Sequence, residues 1–224
     1  MSRSIGGQLH NSLRDALHAC GRHAGIAATV EKGKRIREDG SKSNCRPGDV
    51  KLPGAHGFQA AHGRVILADI VVANAVCPTY RDRVAAKVGA AADIAVSAKR
   101  AKVARLESVS KDDYFLPLAF ESEGYSVNAV SSVLFGLAKH RMFHDGLAED
   151  SHLTHCLHGH YMDAIAVAHA RGLARCLLER GMCNYELHSG YNRTFHSSDV
   201  SDSPSPDSKR RRVDDPTGAQ HTAT

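Results

Sequence analysis

The feature that most constrains this chain is an apolar run rich in β-branched residues, RVILADIVVANAV, that contains a single acidic residue, Asp69. Such a run is typical of a strand buried on both faces of a sheet. Because burial of an unpaired carboxylate is costly, Asp69 is a candidate for a metal site. A second carboxylate, Asp49, follows the Arg46-Pro47-Gly48 turn at the start of the short strand DVKLP. Asp49 could form a metal site with Asp69, or it could cap an ordinary turn by bonding to nearby backbone.

The hydrophobic pattern predicts a single α/β domain with one mixed sheet. The 224 residues suffice for one substantial hydrophobic core and are too few for two cores of that size. In chain order the predicted elements are α-β-β-β-α-β-α-α, at residues 9–24, 25–31, 49–53, 65–76, 80–107, 113–122, 126–143 and 161–180. Strands that alternate with helices in this way indicate a central sheet flanked by helices.

Charge and composition bear on partner and location. Residues 79–105 carry seven Lys or Arg against two Asp, a basic face suited to phosphate and hence to DNA, although a solvated helix face has a similar composition. No apolar run reaches the roughly 18 residues of a membrane span, and the N-terminal segment lacks the apolar stretch of a signal peptide. With six scattered cysteines and no CxxC pair, free thiols and an intracellular location are expected.

The two aspartates suit a site that cleaves phosphodiesters. Two or three carboxylates holding Mg²⁺ or Mn²⁺ supply an activated water and a cation, and a nearby lysine orients the water or neutralises charge. In a compact arrangement the lysine lies two residues after the second carboxylate, on the same face of the strand, but this position is Val71. A lysine would then come from the next helix, where Lys99 and Lys102 share a face. Glu121 could supply a third carboxylate.

The order RPGD, ADIVV, K..K and LPLAFESEG resembles the PD-(D/E)XK, or restriction-endonuclease-like, domain found C-terminal to the reverse transcriptase of non-LTR retrotransposons and related elements. That family has an RPxD strand, a DVTV-type strand, a helix with KxxKY and an FxPxxxExxG strand. The segment LHNSLRDALHACGRHAG is similar to the family's opening RHxxLRDAL helix, and AIAVAHARGLARCLLERG is similar to its closing SVALQRGNAR helix. The resemblance covers residues 9–181.

The resemblance implies a restriction-endonuclease-like fold and a metal-dependent DNA endonuclease, derived from a retrotransposon polyprotein, that hydrolyses phosphodiester bonds to leave a 3′-hydroxyl. It implies that Asp49 and Asp69 bind Mg²⁺ or Mn²⁺. It implies also that Lys99 or Lys102 is the catalytic lysine, with the choice left open, and that Glu121 is a further acidic site residue. The alternative is a catalytically decayed module on the same fold that binds DNA or another partner.

Two segments lie outside the predicted elements. Residues 140–160 hold six of the fifteen histidines and are predicted as a histidine-rich loop within a domain that spans 1–188. This loop could bind zinc, or it could be a cluster of solvent-facing histidines. Residues 189–224 are polar and are predicted to be a disordered tail, whose KRRRV tract at 209–213 suggests nuclear import.

Overall fold

The computed structural model describes residues 5–31, 48–54, 58, 61, 63–78, 80–104 and 113–191. Its elements are α1 (Ile5–His23), β1 (Thr29–Val30), β2 (Val50–Leu52), β3 (Val65–Ala73), α2 (Arg81–Ala86), α3 (Ala90–Val103), β4 (Asp113–Glu121), α4 (Asn128–His144) and α5 (His152–Tyr191). Residues Met1–Asn184 form one compact unit, and Tyr185–Thr224 form a second. The predicted tail and its KRRRV tract lie outside the described residues, except for 189–191 at the end of α5.

The four strands form one mixed sheet in the order β1-β2-β3-β4. The β1–β2 and β2–β3 pairs are antiparallel, whereas β3 and β4 are parallel from Val65↔Asp113 to Ala73↔Glu121. Parallel neighbours need a crossover connection, which here contains α2 and α3. The predicted α/β domain with a mixed sheet flanked by helices is therefore confirmed.

Strand β3 is buried on both of its faces because helices cover both sides of the sheet. The main core joins even-numbered residues of β3 to the leucine stripe of α1: Ile66, Ala68, Ile70, Leu9, Leu13 and Leu17. A smaller apolar cluster joins Ala73 of β3 to Ala91 of α3. Successive side chains of a strand point to opposite faces, and burial of one Leu or Ile contributes about 1.5–3 kcal/mol. These contacts therefore hold α1 and α3 on opposite sides of β3.

The segment 80–107 is predicted as one helix, but its described part, 80–104, contains two helices separated by residues 87–89, and 105–107 lie outside the described residues. Gly89 has a φ of 82°, which glycine adopts without strain, and a Cβ at this position would overlap the ring of Tyr125. The alanine- and valine-rich pattern around Gly89 favours helix throughout and does not reveal this turn. Because of the break, α3 begins at Ala90, next to the end of β4.

The histidine-rich segment 140–160, predicted as a loop, is mostly helical, since α4 extends to His144 and α5 begins at His152. A stripe at helical spacing, Leu157, Tyr161 and Ile165, packs α5 on the main core. The connecting loop covers only 145–151. Although α5 has 40 residues, neither it nor another described helix combines the length and apolar character that crossing a membrane requires.

Candidate active site

Asp49 and Asp69 lie close together at the end of the β2–β3 pair. In this antiparallel pair Val50 is the partner of Ala68, and the backbone N–H of Asp49 donates to the carbonyl of Ala68 at 2.7 Å. Asp49 and Val50 therefore both lie next to Ala68, and the Asp49 carboxylate accepts a hydrogen bond from the backbone N–H of Ile70, the residue after Asp69. The charge of Asp49 also raises the pKa of Asp69, so the two aspartates are neighbours in the fold.

Lys99 of α3 forms an ion pair with Asp69. Its Nζ lies 2.9 Å from Oδ2 and donates a hydrogen bond to Oδ1 at 3.2 Å. The course of α3 explains this contact, because Ala91 packs beside Ala73 and the helix then runs back along the strands. Lys99 is eight residues after Ala91, about 12 Å along a helix. Asp69 is four residues before Ala73, about 13 Å along a strand, so the two side chains meet.

The side of α3 that faces the sheet determines which lysine reaches the aspartates. Ala92 and Val103 are buried and mark the side of α3 that faces the sheet. Lys99 lies seven residues after Ala92 and four before Val103, and thus on the same helical stripe. Lys102 is exposed in the last turn of the helix. The structure therefore brings Lys99 to the aspartates and leaves Lys102 at the surface.

Asp69 is in surroundings that disfavour its charge. Its side chain is only 6% exposed, and this burial raises its pKa. The hydrogen bond and charge of Lys99 offset the rise only in part, and the charge of Asp49 adds to it. Oδ2 lies near the Lys99 ammonium but out of line for a hydrogen bond, and it has no other donor among the described residues. A buried carboxylate oxygen in this condition suits a bound cation.

Asp49 is held in its ionised form by two donors. Its Oδ2 lies 2.9 Å from Nε2 of His10 and accepts a hydrogen bond from the backbone N–H of Ile70 at 2.8 Å. Since an ionised carboxylate only accepts, Nε2 carries the proton. Burial alone raises the pKa of Asp49, but the bonds from His10 and Ile70 and the charges of His10 and Lys99 outweigh it, so the pKa lies below its ordinary value. The hydrogen bond to Asp49 in turn raises the pKa of His10, against the opposing effect of burial.

The two carboxylates therefore differ in proton affinity, with the pKa of Asp69 raised and that of Asp49 lowered. The cause is the number of donors that each receives in a similarly buried position. Adjacent carboxylates whose pKa values are driven apart are typical of acid–base and metal-binding sites, although structural ion pairs also perturb pKa values.

Glu121 is not brought to the aspartate pair. Its Oε1 accepts hydrogen bonds from the backbone N–H groups of Ala91 and Ala92 at 3.0 and 3.2 Å. These are first-turn donors of α3, which have no partner within their own helix. Glu121 ends β4 opposite Ala73, about 13 Å along the strand direction from the level of Asp69. Its observed role is to cap α3 and thereby to fix the helix that carries Lys99.

Sequence reasoning does not identify His10 as a site residue. Two signals point towards it: it follows Leu9 at the edge of the α1 leucine stripe, and it matches the histidine of the RHxxLRDAL pattern. Its partner Asp49 is 39 positions away in the chain, however, and the chain contains fifteen histidines. Neither signal distinguishes His10 without the fold.

Exposed basic side chains occur on the elements that cover the α3 side of the sheet. Lys51 is the partner of Leu67 in the β2–β3 ladder, so it lies on the face of the sheet that carries Asp69. Exposed basic residues of α2, α3 and the link between them are Arg83, Lys87, Arg100 and Lys102. Of these, Lys87 forms an ion pair with Asp93 at 2.7 Å. This surface is suited to a polyanion.

The donor set of the site fits Mg²⁺ or Mn²⁺ better than zinc. Mg²⁺ keeps several waters and is usually held by one or two carboxylates, which Asp49 and Asp69 can supply. Within the described ranges, no group of three or more His, Cys, Asp or Glu is placed to hold a metal ion. In the histidine-rich segment, Sγ of Cys156 lies 3.4 Å from Nδ1 of His152, which is a pair and not the four ligands of a structural zinc site.

Comparisons with protein-family models, with curated proteins and with solved structures gave no significant match. Function is therefore inferred from the geometry of the site and from the order of the sequence motifs.

Proposed function

We propose that this chain is a metal-dependent DNA endonuclease domain of the restriction-endonuclease-like fold, of the kind that follows the reverse transcriptase in non-LTR retrotransposons. It hydrolyses phosphodiester bonds and leaves a 3′-hydroxyl. The observation that carries this proposal is the group formed by Asp49, Asp69 and Lys99, in which two neighbouring carboxylates have an ammonium 2.9 Å from one of them. The mixed sheet with its β3–α3–β4 crossover supports the proposed fold.

Asp49 and Asp69 hold the Mg²⁺ or Mn²⁺ in this proposal. When bound, the cation activates a water and takes up negative charge on the reacting phosphate. Asp49 is ionised at neutral pH because its pKa lies below the ordinary value. Asp69 offers Oδ2, a buried oxygen that lies 2.9 Å from the Lys99 ammonium and accepts no hydrogen bond from a described residue. Asp49 thus supplies a charged ligand, and Asp69 supplies an oxygen that accepts no hydrogen bond from a described residue.

Lys99 places a positive charge next to the reacting phosphate. Its side chain is 37% exposed, so its ammonium can contact a phosphate oxygen or a water in addition to Asp69. A positioned cation of this kind orients the attacking water and stabilises the charge that develops in the transition state. For this role, Lys99 gives up part of its contact with Asp69 when substrate is bound.

DNA binds across the α3 side of the sheet in this proposal. Arg100 and Lys102 are exposed beside Lys99, and Lys51 lies on the same face of the sheet as Asp69. Contacts from such residues to phosphates position the duplex and carry no sequence information. Their contribution to affinity falls steeply as salt rises.

The test of this function is nicking of supercoiled plasmid by the purified chain, with Mg²⁺, with Mn²⁺ and with EDTA. Metal-dependent conversion to the open-circular form supports the endonuclease. Extension of the nicked strand by a DNA polymerase, without prior phosphatase treatment, supports a 3′-hydroxyl end. Absence of nicking with both Mg²⁺ and Mn²⁺ would contradict the proposed endonuclease activity.

A second candidate is a module of the same fold that binds DNA and no longer cleaves it. The observation that favours it is the ion pair between Lys99 and Asp69, in which the lysine neutralises the carboxylate that a metal ion would need. In addition, no third carboxylate joins Asp49 and Asp69 among the described residues. Retained DNA binding without nicking would support this candidate. Either function agrees with a nuclear location, which we propose from the KRRRV tract at 209–213, a segment outside the described residues.

A further inference from the structure

We infer that His10 is a positioning residue of the proposed metal site. It holds one oxygen of Asp49 in place so that the other oxygen is presented to the cation. This inference rests on the proposed binding of Mg²⁺ or Mn²⁺ by Asp49 and Asp69.

The geometry at Asp49 is asymmetric. Among the described residues, the hydrogen bonds to its carboxylate fall on Oδ2, from Nε2 of His10 at 2.9 Å and from the N–H of Ile70 at 2.8 Å. The two donors come from different elements, α1 and β3, so together they restrain the rotation of the carboxylate. A ligand whose orientation is set by outer hydrogen bonds binds a metal more tightly than one that must be ordered on binding.

The position of His10 is itself fixed by packing. His10 follows Leu9, which is buried in the main core. Helix α5 also approaches α1 so closely that a Cβ on Gly172 would lie 2.9 Å from Cδ1 of Leu9 and 3.0 Å from its Cα. The core and α5 thus both restrain this turn of α1. His10 can therefore act as a rigid donor to Asp49.

Substitutions of His10 distinguish donation of a hydrogen bond to Asp49 from packing of the side chain. The amide nitrogen of Gln can take the place of the imidazole Nε2, whereas the amide of Asn is too short to reach it. His10→Gln should therefore retain the hydrogen bond to Asp49, while His10→Asn and His10→Ala lose it. His18 is a matched control, because it is also a half-buried histidine of α1 and its Nε2 contacts the carbonyl of Ala28, away from the site.

The experiment measures binding of Mn²⁺ alone to the full chain by electron paramagnetic resonance, without DNA, after circular dichroism has shown that each variant is folded. We expect His10→Ala and His10→Asn to weaken Mn²⁺ binding about tenfold or more, the range seen when an outer partner of a metal ligand is removed. His10→Gln should restore most of the affinity, and His18→Ala should bind as wild type does.

The inference is overturned if His10→Asn binds Mn²⁺ as tightly as His10→Gln does, if His10→Ala binds as tightly as wild type, or if the wild-type chain binds no Mn²⁺. Should His10→Ala fail to fold, the Gln and Asn variants, which introduce closely related amides, carry the comparison. A chain that binds Mn²⁺ with the expected dependence on His10 but does not nick plasmid would contradict the endonuclease and leave the role of His10 standing.

Discussion

The Glu121 carboxylate, at the last residue of β4, caps α3 by accepting a hydrogen bond from the backbone N–H of Ala91 at 3.0 Å. This bond joins the end of the sheet to the start of the helix that carries Lys99. From this anchor, α3 runs back along β3 until Lys99 reaches Asp69. A carboxylate distant from the aspartate pair therefore determines where the lysine of the site lies.

Glu121→Ala should destabilise the fold by about 1–3 kcal/mol, because it leaves first-turn N–H groups of α3 buried and unpaired. Glu121→Gln keeps an acceptor and should cost less. Glu123→Ala, at an exposed position, is the control and should change stability by less than about 0.5 kcal/mol. Urea unfolding at pH 7 measures all three. If Glu121→Ala kept wild-type stability but lost Mn²⁺ binding, Glu121 would be a metal ligand and not a cap.

Lys99→Met should slow DNA cleavage by about 10²-fold or more, the usual effect of removing one group that stabilises transition-state charge. Lys102→Met should leave the rate at saturating DNA close to wild type, because Lys102 is exposed and away from Asp69. Single-turnover cleavage with excess protein separates the rate from the affinity. Equal loss of rate in both variants would contradict the assignment of Lys99.

Without metal, Asp69→Asn should raise the free energy of unfolding at neutral pH. Burial raises the pKa of Asp69 above 3.8, so ionised Asp69 is less favourable in the folded chain than in the unfolded one. This penalty is fully present above the raised folded pKa, shrinks as pH falls towards 3.8, and is absent below it. Removal of the Asp69 charge from beside Lys99 should lower the free energy of unfolding only a little, because the Lys99 side chain is partly exposed.

Thermal melts in EDTA, at pH 7 and near pH 4, measure the difference between Asp69→Asn and wild type. We expect a higher melting temperature for the variant at pH 7 and a smaller gap near pH 4. A variant that is less stable than wild type at pH 7 would show that Lys99 fully compensates for the burial of Asp69.

The contact between His10 and Asp49 should stabilise the fold most between pH 3.8 and 6.5. The pKa of His10 is raised above 6.5, so its contribution is complete below 6.5 and is lost as pH rises through the folded value. The pKa of Asp49 is lowered below 3.8, so its contribution is complete above 3.8 and is lost as pH falls through the folded value. The difference in melting temperature between wild type and His10→Ala should peak in this window. A difference that does not vary from pH 3 to pH 9 would contradict the ion pair.

Much of the fold can be predicted from local sequence pattern. The apolar run around Asp69 predicts β3, and the alternation in DYFLPLAFE, followed by turn residues, predicts β4. No local pattern reveals the break at Gly89, because it depends on a ring from a distant part of the chain, that of Tyr125. The start of α5 is hard to predict, because histidines interrupt the apolar stripe that contains Tyr161.

The candidate site was less predictable, because its geometry depends on contacts between distant segments. Asp49 and Asp69 could be singled out from their unusual surroundings in the sequence. The choice between Lys99 and Lys102 required knowledge of which side of α3 packs on the sheet. The partners of Glu121 and of Asp49 come from other elements, 30 and 39 positions away in the chain, and no local pattern records them.

The most direct test of the central claim is plasmid nicking by Asp69→Asn next to Asp163→Asn, a matched change at an exposed aspartate of α5. We expect Asp163→Asn to nick with Mg²⁺ as wild type does, and Asp69→Asn to lose nicking while it binds DNA as tightly or more tightly. Nicking by Asp69→Asn at the wild-type rate would show that the buried aspartate of β3 is not part of an active site.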